Sequence, residues 1–266
     1  LHQGRRLIDG PCHKKEFRCP FHAFTWDLDG AFKSCPSRWD FPQIEDQDFG
    51  LVEVKLGRWG GFVFINMDPD CESLETYLGD MPMHWEKFPL EERYIAAHIC
   101  KVFPANWKVA QEAFMEAFHN YSTHSQFGVY FGGMASDSGQ YDPMGNYSRA
   151  LGAGEATMPL AFTPTAQERF DALPGVGFAE GVKRVVEDYP EHGIDRELME
   201  FEIEARRQAL RDAIGDKADE LTDFEIFGGG YFTLFPNFHP WWAYDEITYR
   251  FRPWGDDPEM CLMETY

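Results

Sequence analysis

Along the first 70 residues the apolar positions come in short alternating runs. Residues 16–18, 24–27, 50–55 and 61–66 read as strands, because period-two alternation buries one face of a pleated ribbon. Asp29-Gly30, Gly57 and Gly60-Gly61 punctuate them as hairpin turns, and Met67-Asp68-Pro69-Asp70 closes the block. Residues 72–100 predict a connector with an acidic helical stretch over 74–78 and a strand around 93–102. From 106 to 121 the period changes to that of a helix. Trp107, Phe114, Phe118 and Tyr121 form one stripe, and Glu112, Glu116 and His119 form another. Residues 128–165, rich in Gly, Ser, Pro and Met, predict loops with short strands. Residues 187–225 hold 14 acids and 5 bases, a charged insert with one amphipathic helix on Ile194, Leu198, Phe201, Ala205 and Ala209. Strands return at 231–235, 247–252 and 260–266, the last two joined by a turn over Trp254-Gly255-Asp256-Asp257-Pro258. No internal repeat or low-complexity tract interrupts this order.

Composition narrows the class. With 266 residues, 44% of them hydrophobic and 26% charged, the chain is globular, as one large domain or two small ones. Aromatics reach 16%, so some part of it is lined or filled with rings. Forty-five acids against 24 bases give a net charge of −21, a field that repels phosphate backbones and excludes nucleic acid as a partner. No apolar run approaches the ~18 residues of a membrane span. Six cysteines are too few for a disulfide scaffold, which points to the reducing cytoplasm and to free or metal-bound thiols. The chain opens at Leu1 without an initiator Met and reads as a fragment, so N-terminal targeting is not legible.

Two constellations carry chemistry. Cys19-x2-His22 places a thiolate and an imidazole in one tight loop, where both can point at one metal centre, and His2 lies 16 intervening residues upstream. Two loops with such ligands hold either an iron–sulfur cluster or a zinc ion. The second is Glu116-x2-His119-x4-His124. Glu116 and His119 share a helix face, but His124 lies about 140° off it at 3.6 residues per turn. Both histidines reach one ion only if the helix ends or distorts, and Asn120-Tyr121-Ser122-Thr123 competes with helical bonding there. The spacing differs from the His-Glu-x2-His of zinc proteases. Two histidines and a carboxylate with open positions make the facial triad of non-haem Fe(II).

The flanks identify a family. Cys19-Pro20-Phe21-His22-Ala23-Phe24-Thr25-Trp26-Asp27, followed by Asp29-Gly30, resembles the second ligand loop of a Rieske [2Fe–2S] domain. Leu1-His2 matches the x-His of the first loop, whose cysteine is expected just before Leu1, and Gln3 stands where many relatives have Arg. Asn106-Trp107-Lys108 through His124 resembles the iron-site helix of Rieske ring-hydroxylating oxygenase large (alpha) subunits. The resemblance implies an α+β chain. A Rieske all-β domain spans 1–70, and a helix-grip catalytic domain, an antiparallel sheet with helices, spans 71–266; both lack their outer ends.

It also implies the cofactors: a [2Fe–2S] cluster on His2, Cys19 and His22, and mononuclear Fe(II) on His119 and His124, with a third carboxylate beyond Tyr266. Asp245, Glu246, Asp256, Asp257, Glu259 and Glu264 are the acids at hand, and none is assigned. Glu116 stands where the family often has Asp, as the catalytic acid that bridges to the Rieske cluster of a neighbouring subunit. The implied protein is a cytoplasmic terminal oxygenase that hydroxylates or dihydroxylates a small hydrophobic, aromatic substrate with O2. Its electrons come from a reductase and, in some relatives, a ferredoxin, so NAD(P)H acts only indirectly. It is a homo-oligomer, a trimer, with or without a small beta subunit. A Rieske electron-transfer protein and a zinc-stabilised ligand-binding module remain as alternatives, the latter drawing also on Cys12 or His13.

Overall fold

The computed structural model describes residues 4–116, 119, 122–124, 133–134, 140–151, 158–159, 196–227, 230–242 and 247–266. The chain divides into two compact units, Leu1–Leu74 and Glu75–Tyr266.

The first unit is built of short antiparallel strands. β1 (Phe17–Arg18), β2 (Thr25–Trp26) and β3 (Phe32–Ser34) form one sheet, and β4 (Lys55–Trp59) and β5 (Phe62–Asn66) form a separate hairpin. Gly60 and Gly61 have φ of 58° and 80°, the left-handed pair that a two-residue hairpin turn requires. The strand expected over 50–55 begins only at Lys55, and Gly57 is not a turn residue. It sits inside β4, where a Cβ would lie 2.6 Å from Leu74 Cδ2. Close packing, not a bend, requires this glycine, and both needs look alike in a sequence. Phe24, Phe32, Phe41 and Phe49 form an aromatic cluster with ring centroids 5.0 to 6.4 Å apart. The buried Trp26 donates its indole N–H to the Phe49 carbonyl at 2.7 Å.

The second unit is organised by a seven-stranded antiparallel sheet. Its order is β6 (Ile99–Phe103), β14 (Asp257–Thr265), β13 (Thr248–Trp254), β12 (His239–Trp242), β11 (Gly230–Leu234), β9 (Tyr147–Leu151) and β8 (Gln140–Met144). A small ladder pairs β7 (Gly133–Met134) with β10 (Met158–Pro159). The helix α1 (Leu74–Leu78) matches its predicted span, whereas the strand expected from 93 begins at Ile99. The sequence reading missed β12, because Pro240 in His-Pro-Trp-Trp argues against a strand. α2 (Trp107–Glu112) starts at Asn106, whose side chain accepts the Lys108 N–H at 2.9 Å. It lays Ala110 on Phe251 and Cys261, with Phe103, Phe114 and Met263 packed around them.

The acidic insert contains α3 (Arg196–Ile214) and α4 (Asp223–Phe227). Ala209, expected on the apolar stripe of α3, is exposed. Arg207 is held instead, donating to the Ala218 and Leu221 carbonyls at 3.0 and 2.8 Å and to Asp223 at 2.7 Å. Ile194 and the side chains of Leu198, Phe201 and Ala205 lie outside the described residues.

Strand alternation turns Cys261 and Met263 towards α2 and Glu264 away from it. On that far face Glu264 is 3% exposed and accepts from Arg250 at 2.8 and 2.9 Å and from Arg252 at 2.7 Å. Burial pushes its carboxyl up, but the two guanidiniums outweigh that and hold it at about 2. A carboxyl that titrates below its ordinary 4.5 stabilises the fold above that pH, and the contribution disappears as pH falls towards 2. Glu264→Gln is therefore expected to cost about 2 kcal/mol at neutral pH, below the full penalty of a buried broken pair because both guanidiniums are partly exposed. Urea unfolding of both forms across pH 2 to 7 measures it; the gap should close at the acid end.

Candidate active site and cluster loop

The Cys19 loop closes on itself. The Cys19 N–H donates to the Phe24 carbonyl at 2.8 Å, and the Ala23 N–H donates back to the Cys19 carbonyl at 3.0 Å. Ala23 takes φ of 58°, left-handed for a residue with a Cβ, so the tight loop carries local strain. The loop buries Cys19 at 1% exposure and presents the His22 ring at the surface. A thiolate and an imidazole in one loop are a donor set that suits a Rieske cluster. His2 lies outside the described residues, and Cys12 is exposed.

The helix expected to run to residue 121 ends after Glu112. Phe114 N–H bonds the Gln111 carbonyl at 2.9 Å and Met115 N–H bonds the Glu112 carbonyl at 3.0 Å, the tighter i−3 pattern of a helix running out. Glu116 then caps a new turn. Its Oε2 accepts the His119 N–H at 3.1 Å, and its Oε1 lies 2.5 Å from His119 Nδ1. A carboxylate only accepts, so Nδ1 carries a proton, and Nε2 is the ring nitrogen left to bind a metal.

Ser122 and Thr123 N–H both bond the His119 carbonyl, at 3.2 and 2.8 Å, which turns the chain back. The rings of His119 and His124 thereby stand 5.2 Å apart at 69°. Adjacent imidazoles, one oriented by a carboxylate, make a donor set that fits Fe(II). Phe118 and Tyr121 lie outside the described residues, and Glu112 is exposed.

One turn past Gln111, Met115 borders a cavity of about 180 Å³. Its other walls include Pro143, Ser148, Ala150, Tyr231 and Thr233 from the sheet. Thr233 Oγ1 lies 3.0 Å from His239 Nδ1, and His239 Nε2 lies 3.2 Å from Gln111 Oε1. His239 is 1% exposed, and burial pushes its imidazole down to about 4, so it is neutral at physiological pH. Sequence reading missed this histidine, because a single His in an aromatic strand carries no motif.

Of the acids considered as a third ligand, Glu264 faces away from α2 and is occupied by arginines. Asp257 accepts the Glu259 N–H at 2.9 Å and is a turn residue, while Asp245 and Glu246 lie outside the described residues. His98 and Cys100, which sequence reading passed over, converge on Glu264, with His98 Nε2 3.3 Å from Oε1. Two guanidiniums on the same carboxylate oppose a cation there.

One unit holds a seven-stranded antiparallel sheet and, past the end of α2, a carboxylate-oriented histidine pair; the other holds a cysteine–histidine loop, and these donor sets suit a mononuclear iron and an iron–sulfur cluster. The chain belongs to the ring hydroxylating alpha subunit family, whose catalytic-domain model matches residues 84–266; the Rieske [2Fe-2S] domain model matches residues 1–45. These two domains imply a Rieske cluster and a non-haem iron. The chain is 27% identical over 230 residues to the carnitine monooxygenase oxygenase subunit of Escherichia coli (strain K12), covering 84% of this chain and 58% of that protein. It is 28% identical over 141 residues to the biphenyl 2,3-dioxygenase alpha subunit of Rhodococcus jostii (strain RHA1), covering 50% and 30%. The fold resembles a quaternary ammonium Rieske monooxygenase in complex with L-carnitine, with a TM-score of 0.54, 18% identity and coverage of 99% and 55% of the two chains. It also resembles naphthalene 1,2-dioxygenase with indole bound, with a TM-score of 0.52, 19% identity and coverage of 100% and 55%. The chain thus spans little more than half the length of the first relatives it matches. No described helix is long and apolar enough to cross a membrane.

Proposed function

We propose that the parent protein is the terminal oxygenase component of a Rieske non-haem iron oxygenase, hydroxylating or dihydroxylating a hydrophobic substrate. The observation that carries this is the Glu116 carboxylate on His119 Nδ1 with the His124 ring 5.2 Å away; Met115, the residue before Glu116, borders a cavity. Residues 1–70 serve as the Rieske domain and 71–266 as the catalytic domain. His2, Cys19 and His22 hold the cluster together with a cysteine ahead of Leu1. His119 and His124 hold the iron together with a carboxylate beyond Tyr266. When bound, the cluster supplies single electrons and the Fe(II) supplies open coordination positions for O2.

The chain's own residues do the rest. Glu116 fixes the His119 ring and is the acid that bridges to the cluster domain of a neighbouring subunit. Pro143, Ala150 and Tyr231 offer apolar surface to the substrate and keep water from it. The names of the matched relatives divide between carnitine and biphenyl, so the apolar wall is the feature that favours a hydrophobic, aromatic substrate. In this reading the protein acts in the cytoplasm as a homotrimer, with or without a beta subunit, fed by an NAD(P)H-dependent reductase directly or through a ferredoxin. A fully active monomer in sedimentation would sink the trimer.

Metal analysis of the full-length protein, purified anaerobically, tests the reading. The expected result is about three irons and two acid-labile sulfides per chain with a Rieske-type paramagnetic resonance signal on reduction. Two irons and two sulfides, unchanged by added Fe(II) and without O2 uptake, would leave an electron carrier. Zinc without sulfide would overturn the enzyme.

A further inference from the structure

The cavity that Met115 borders is mostly apolar, but one of its polar groups has a fixed polarity. Gln111 offers its carbonyl oxygen to His239 Nε2, so that nitrogen carries the ring proton. His239 Nδ1 must then accept, and among the described residues the donor facing it is the Thr233 hydroxyl at 3.0 Å. Burial keeps His239 neutral, so the ring does not become a donor at both nitrogens at physiological pH. The hydroxyl proton of Thr233 is therefore committed, and this residue lines the cavity with an oxygen that has only lone pairs left to offer. Asp142 and Arg149 also border the cavity, but they satisfy each other at 2.5 Å. Strand register sets Arg149 opposite Phe232, while Ser148 lies opposite Thr233 on the cavity face.

From this geometry we infer that Thr233 is a specificity-determining residue, an acceptor locked by His239 and Gln111, which selects ligands that combine an apolar body with one hydrogen-bond donor, a hydroxyl or an N–H. The inference rests on the oxygenase reading, in which this cavity receives the substrate. Gln111 lies on the helix that leads into Glu116, so the same chain of contacts ties the wall to the iron-site segment. Thr233 acts on binding, not on the reacting atoms.

The test uses the holo full-length protein, anaerobic and without reductant, with indole and indene as probes. They have nearly the same shape, and only indole carries an N–H. Calorimetric titration is expected to show indole bound about three- to tenfold more tightly, the worth of one neutral hydrogen bond. Thr233→Ser should keep that preference. Thr233→Val, or Thr233→Ala if the valine variant does not fold, should reduce it to within about twofold. Equal affinities in the unaltered protein, a preference that survives in the valine or alanine variant, or no binding of either probe to iron-loaded protein would each overturn the inference. Failure of the protein to hold iron at all would overturn the oxygenase reading instead, and it registers separately in the metal content.

Discussion

Replacing His119 with alanine in the full-length protein is expected to abolish oxygenation while the [2Fe–2S] centre stays reducible. The two effects separate because the groups involved lie in different units, Cys19 and His22 in the first and His119 in the second. The variant removes the one imidazole whose tautomer Glu116 sets. The expected loss of turnover is at least about a hundredfold, the upper end of what removing a mere orienting partner costs. Mononuclear iron content should fall with it. His119 is partly exposed and lies in a short turn, so the fold should survive. Turnover measured with chemically reduced protein, alongside the resonance signal of the cluster, checks both halves. Unchanged oxygenation would falsify the iron assignment.

Substitution at Glu116 should cost less and reveal more. Alanine leaves His119 Nδ1 without its carboxylate, frees the ring to turn, and is expected to lower iron affinity about 10- to 100-fold. Glutamine keeps the acceptor oxygen but not the charge. It should hold iron nearly as well as the parent, yet turn over more slowly when electrons must arrive from the cluster. Single-turnover kinetics at saturating iron separates the roles. If glutamine restores both iron and rate, Glu116 only orients its histidine, and its bridging role falls.

Much of this was legible along the chain. Cys19 to Asp27 and Glu116 to His124 are local motifs, and a local motif survives translation into structure because its residues are held by the same few turns. The hairpin at Gly60-Gly61, α1 over Leu74–Leu78 and the turn at Gly255 were readable for the same reason, since each depends on its own backbone preferences. Two local readings failed where tertiary packing intervened. Gly57 looked like a turn and is a packing site for Leu74, and residues 106–121 looked like one helix although it breaks after Glu112.

The sequence by itself determined the family, the candidate ligands and the alternation of β, helix and β. Only the tertiary structure decided which carboxylates are spent and which side chains meet. Glu264 is an acid near the end of the chain until the pairing of β13 with β14 puts Arg250 and Arg252 on it. Thr233, His239 and Gln111 carry no shared spacing, and up to 128 positions separate them. They become one network because β11, β12 and α2 are brought together by packing, and hydrogen bonds at such separations are set by the register of strands and the seating of a helix, neither of which is written in neighbouring residues.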